Sequence, residues 1–116
     1  MSASIPTSAA AVIDFGHHDL LLQDIVLSGQ VTFDRDRQLL TITEPTGDSE
    51  VLNVDLTLEG YVCFPDELIL RDWSEHSGLC AALVDAGIVM RTETIAVGPF
   101  DSRAYRCLVV DPEAAR

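Results

Sequence analysis

The densest group of reactive side chains in this chain is Asp72-Trp-Ser-Glu-His-Ser-Gly-Leu-Cys80. His76 and Cys80 are four residues apart and share a face if a helix extends back that far. A Cys near a helix start can have a lowered pKa, and a neighbouring His can serve as its base. With Asp72, Glu75 and a distant Cys, the same residues could ligate zinc. A structural role explains them as well. Cys80 follows Leu79 in an Ala- and Leu-rich stretch, where it acts as a small core residue, and His76 is then a polar group beside the helix cap. The structural role is the expectation, with neither catalysis nor metal assigned; a site at Asp72, Glu75, His76 and Cys80 is the alternative.

The remaining candidates are weaker. His17-His18-Asp19 suggests a metal pair, but adjacent residues of a strand point to opposite faces, and no second His pair completes the site. A solvated turn after Gly16 is expected. In Asp34-Arg35-Asp36-Arg37 every Arg has an acidic neighbour, so the stretch reads as a hairpin tip rather than a phosphate site. Asp14-Phe15-Gly16 matches a kinase trio without any of its companion motifs. The Asp34-x-Asp36 spacing lacks the Gly and terminal Glu of a calcium loop. No cofactor is implied.

Charge is the more informative property. The 116 residues carry 19 Asp and Glu against seven Arg and no Lys, a formal charge of −12. Such a body repels nucleic-acid phosphates and anionic membranes and attracts basic partners. Direct nucleic-acid binding and membrane association are therefore not expected. The function expected is a small acidic protein-binding module, of the inhibitor or immunity type, engaging a basic protein. Its carboxylates would stand where phosphates stand in the partner's own ligand. The outward residues expected to bind are Asp34, Asp36, Asp48, Glu50, Asp55 and Glu59, with Trp73 as an aromatic anchor or a pin between helix and sheet. Phe64 and Phe100, if exposed, would join Trp73 as anchors. A structural subunit that homodimerises through an edge strand is a further alternative. A GC-rich genome would account for the lack of Lys, and a high-salt habitat for both the acidity and the lack of Lys; under either reading the acidity serves solubility.

The elements that must position these residues are short. Hydrophobic residues make up 47% of the chain, enough for one domain with one core, with residues 1–11 and 111–116 as terminal arms. Three widely spaced cysteines, Cys63, Cys80 and Cys107, do not form an even disulfide framework, and residues 1–12 lack the basic region of a signal peptide. A reduced, cytoplasmic bacterial protein is the expectation.

Strands are expected at residues 11–15, ended by Gly16, and at 20–27, bounded by Gly29. Residues 31–33 and 40–42 form a hairpin across the 34–37 turn, and Pro45-Thr-Gly-Asp48 is a second turn. Strict alternation over residues 51–59 predicts a strand with Leu52, Val54, Leu56 and Leu58 buried and Asn53, Asp55 and Thr57 outward. Further strands are expected at 61–64, 68–70, 88–90, 94–97 and 103–110. One helix is predicted over 74–86, with Leu79, Ala82, Leu83 and Ala86 as its buried stripe, Asp72, Ser74 or Ser77 as cap, and Gly87 as terminator. With strands not separated by helices, the fold expected is α+β and mainly antiparallel: a short-stranded sheet or small open barrel with that single helix.

Overall fold

A computed structural model describes residues 11–111. The proposed arms lie outside the described residues, apart from Ala11 and Asp111, which pack back. The Ala11 carbonyl accepts from the Arg35 amide, and Asp111 pairs with the Arg35 guanidinium at 2.5 Å. The α+β class with antiparallel sheets is correct. Two four-stranded sheets face each other and do not close into a barrel.

The first sheet, in order, is β1 (Val12–Leu21), β2 (Val26–Asp34), β3 (Leu39–Thr43) and β4 (Ser49–Val51). The second begins with β5 (Asn53–Val54) and β6 (Glu67–Arg71). It is completed by β8 (Ser102–Val109) and the edge strand β7 (Val89–Val97). The one α-helix among the described residues, α1 (Leu79–Asp85), packs on β1 of one sheet and on β6 and β7 of the other. Its Leu79 and Leu83 are fully buried among Phe33, Leu40, Leu70 and Ile88, with Ala82 and Ala86 packed at the margin. The predicted stripe is therefore the buried face.

The helix is shorter than the predicted 74–86. Ser74–His76 is a separate 3-10 turn, and Gly78 breaks the path with φ of 94°. A Cβ at Gly78 would meet the Gln23 amide nitrogen at 3.0 Å, so the close docking of this corner also requires glycine. Asp72 supplies the cap: its two carboxylate oxygens accept from the amides of Gly78 and Cys80. At the other end the Ile88 amide donates to the Leu83 carbonyl around Gly87, the closure expected of a glycine terminator.

Several strand boundaries differ from expectation, because tertiary pairing outweighs local signals. Gly16 does not end β1. It sits at a bulge that shifts the β1–β2 register, with its amide bonded to the Asp14 carboxylate. Ile13 and Leu20 have opposite parity along the strand, and both are buried; one extra residue makes that compatible. His17 and His18 consequently lie in a strand rather than a turn. Residues 20–27 are not one strand either. Gln23 and Asp24 form the β1–β2 turn, and Gly29 falls inside β2.

The 51–59 segment departs most. Its chain leaves the first sheet at Leu52 and enters the second at Asn53. Asn53 spans the crossing: its Oδ1 accepts from the Leu40 amide and its Nδ2 donates to the Gln38 carbonyl. Asp55 then accepts from the Thr57 amide and hydroxyl and starts a 3-10 turn, Thr57–Glu59. Leu52 and Leu56 are buried and Val54 is half-buried, but Leu58 is 99% exposed. Residues 61–64, also expected in a strand, are irregular, and 88–90 and 94–97 form the single strand β7, bulged at Thr92. Both long edge strands, β1 and β7, thus carry a bulge, a feature that discourages edge-to-edge pairing.

The second sheet is apolar on both faces. In β6, Leu68 and Leu70 join the main core while Ile69 joins a smaller cluster on the opposite face with Leu56, Ile95 and Ala104. Continuous apolar runs belong to strands covered on both sides.

Candidate functional site

At the helix entry, the four residues singled out by type do not gather around a common space. His76 is 3% exposed. Its Nε2 lies 2.6 Å from Glu50 Oε2, and its Nδ1 lies 3.0 Å from an Arg71 guanidinium nitrogen. Arginine can only donate, so Nδ1 accepts and Nε2 carries the proton toward Glu50. Both ring nitrogens are committed, and the imidazole joins β4 of one sheet to β6 of the other. Asp72 is occupied by the helix cap. Cys80 is buried against Cys107, with 3.7 Å between the sulfurs. Glu75 is exposed. Among the described residues no group of three or more His, Cys, Asp or Glu is arranged to hold a metal.

The predicted binding residues separate. Asp34 is half-buried and turns back on its own loop, accepting from the amides of Asp36 and Arg37. Asp36 is exposed at that tip. Asp48 lies in the exposed β3–β4 turn, at the other end of β3, and Glu50 is tied to His76. Asp55 and Glu59 are exposed. Trp73 is half-buried in the smaller apolar cluster, away from the main core that holds the helix residues, with the Arg71 guanidinium 6.0 Å above its ring. Phe100 is 89% exposed in the β7–β8 turn.

A different region concentrates the features of a binding surface. A cavity of about 300 Å³ opens beside β5 and β6, lined by Asn53, Asp55, Leu56, Tyr61, Cys63 and Glu67 among others. Arg37 and Gln38 of the β2–β3 turn line it too, so Asp34, Asp36 and Asp55 belong to the same end of the molecule. The loop over residues 55–66 forms its rim and presents Leu58, Val62 and Phe64, which are 99%, 72% and 75% exposed. That loop is held at several points. Arg106 donates to the Val62 carbonyl at 2.7 Å and pairs with Glu67 and Glu93. Glu67 accepts from the Phe64 amide, and Gln38 donates to the Phe64 carbonyl at 2.8 Å.

The electrostatics follow from these bonds. The Thr57 hydroxyl and amide hold the Asp55 carboxyl below its ordinary pKa. Burial pushes the Cys63 thiol up, against the opposing pull of Arg106. The hydrogen bond to Glu93 raises Arg106 further. Asp55 therefore faces solvent as an anion, while Cys63 is a protonated thiol.

Sequence reasoning selected Asp55, Glu59 and Phe64 but missed Leu58 and Val62. Leu58 was hidden by the alternating pattern that assigned it to the core. The signal that could have found it was the Asp55-x-Thr57 pair, an Asx-turn signature that competes with strand. Comparisons with protein-family models, curated proteins and solved structures find no match to this chain.

Proposed function

We propose that this protein is an acidic protein-binding module that engages a basic partner through the loop over residues 55–66. The observation that carries the reading is the exposure of Leu58, Val62 and Phe64 on one loop that Arg106, Gln38 and Glu67 hold in place. Exposed apolar side chains on a pinned backbone lose little entropy on binding, so more of their burial is realised as affinity. Asp55 and Glu59 lie beside them as carboxylates, and with a chain charge of −12 they steer a cationic partner toward that end. An inhibitor or immunity-type role fits this chemistry.

The other readings of the sequence draw less support. Each reactive group at the helix entry except Glu75 already has an intramolecular partner, and the long edges that a strand-paired dimer would use are bulged.

The test is affinity capture from the native host with three baits: the wild-type chain, Val62→Ser/Phe64→Ser, and Asp55→Arg/Glu59→Arg. The expected result is a basic protein retained by the wild type, released as salt rises, and lost from both variants. Retention by both variants, or a retained partner that is itself acidic, overturns the proposal.

A further inference from the structure

Cys80 and Cys107 are absorbed by no role described so far. They lie on different elements, α1 and β8, with their sulfurs 3.7 Å apart, and both are free thiols buried in the main core. Cys63 stands apart, packed with the smaller cluster on the opposite face of the second sheet.

We propose that Cys80 and Cys107 form a dithiol site that small hydroperoxides oxidise to an intramolecular disulfide. A disulfide needs sulfurs about 2.05 Å apart, so the pair must close by roughly 1.6 Å from its 3.7 Å contact. Closure requires side-chain rotation together with a small movement of α1.

The two thiols are unequal. The hydrogen bond between them lowers the pKa of Cys80 and, with burial, raises that of Cys107 strongly. Cys80 is the first nucleophile. Its thiolate attacks the distal oxygen of the hydroperoxide, the O–O bond breaks, and the alkoxide leaves with a proton as alcohol or water. Cys80 becomes a sulfenic acid. The Cys107 sulfur then attacks the Cys80 sulfur, its proton leaving with the displaced hydroxide as water. Two thiols and one hydroperoxide yield one disulfide, one alcohol and one water. Access is through local opening of α1, a seven-residue helix, since helices and strands open locally in the native state. The product ties residues 80 and 107 together, restricts the unfolded chain more than the folded one, and is reversed by dithiol reductants.

The test uses the full chain with Cys63→Ser, which removes the half-buried third thiol and leaves the core intact. The reduced protein is treated with hydrogen peroxide under native conditions, then mapped by mass spectrometry and denatured with urea. The expected result is a loss of two hydrogens, a peptide linking residues 80 and 107, a higher urea midpoint, and a return to the starting midpoint with dithiothreitol. A second variant, Cys107→Ala in the same background, should stop at a sulfenic acid trapped by dimedone. Thiols that stay reduced until the chain is unfolded, or a linked product with an unchanged or lower midpoint, overturn the proposal. If the Ala variant does not fold, the Cys63→Ser protein alone decides it.

Discussion

The His76 junction makes a prediction whose size follows from its geometry. In His76→Ala, the Arg71 guanidinium loses its acceptor at 3.0 Å and the Glu50 carboxylate loses its donor at 2.6 Å. A hydrogen bond to a charged group contributes about 1.5–3 kcal/mol. The Arg71 bond, formed to a 3% exposed imidazole, should count near the middle of that range. The Glu50 bond counts less, because the Glu50 side chain is 43% exposed and water replaces the lost donor. With the packing of the ring itself, the total loss is about 3 kcal/mol, equivalent to roughly 10–20 °C in Tm for a chain of this size.

Urea denaturation followed by fluorescence is suited to the measurement, since Trp73 is the only tryptophan and lies three residues from His76. Glu50→Ala alone should cost about 1 kcal/mol, and His76→Ala with Glu50→Ala should cost less than the sum of the two, since they share one bond. A loss below about 1 kcal/mol in His76→Ala, with an unchanged slope, refutes the reasoning: the imidazole would then not join the sheets.

Leu83→Ala should cost about 2–5 kcal/mol, because Leu83 is fully buried between the sheets; a chemical-denaturation midpoint within error of the wild type would mean that the helix packs by another face. Gly29→Ala should destabilise by more than about 2 kcal/mol, because a Cβ there would overlap the Thr43 carbonyl oxygen, a backbone atom that cannot move aside cheaply. Gly47→Ala, with φ of 98° and open space around the new Cβ, should cost only the backbone strain of about 1 kcal/mol; equal losses in the two thermal melts would remove the steric explanation. Asp14 and Asp55 have carboxyls held below the ordinary value by Gln30 and Thr57 respectively. A depressed folded pKa contributes stability that is fully present above the unfolded value of about 3.9 and is lost as pH falls through the folded value. Urea midpoints measured from neutral to acid pH should decline in that window, less steeply in Asp14→Asn/Asp55→Asn, and an unchanged slope in that variant would exclude these two groups as the source.

The local elements were legible in the sequence wherever one short-range signal had no competitor. The Leu79, Ala82, Leu83 and Ala86 stripe and the Gly87 stop specify the helix, since a helix makes its own hydrogen bonds and only its orientation depends on the rest of the chain. The hairpin over 31–42 is specified by alternation on both sides of a polar turn. Charge, and the classes of partner it excludes, is a property of composition that folding does not alter.

Strand ends and site membership were decided by tertiary pairing. A strand draws its bonds from neighbours that the local sequence does not name, so the pairing partner determines whether a glycine ends it or, as at Gly16, is merely accommodated by a bulge. Residues 51–59 satisfy the strand pattern perfectly, yet the chain changes sheets at Leu52. Once Asn53 bonds across the crossing and Asp55 turns back on Thr57, Leu58 has no strand to belong to and points into solvent. Likewise His76 was visible as a reactive type, but its meaning came from Glu50, 26 residues earlier, and Arg71, brought together only when the two sheets meet. The placing of α1 against the second sheet likewise sets Cys80 against Cys107. Long-range contacts of this kind depend on how two sheets stack, and one chain's local pattern does not encode that stacking residue by residue.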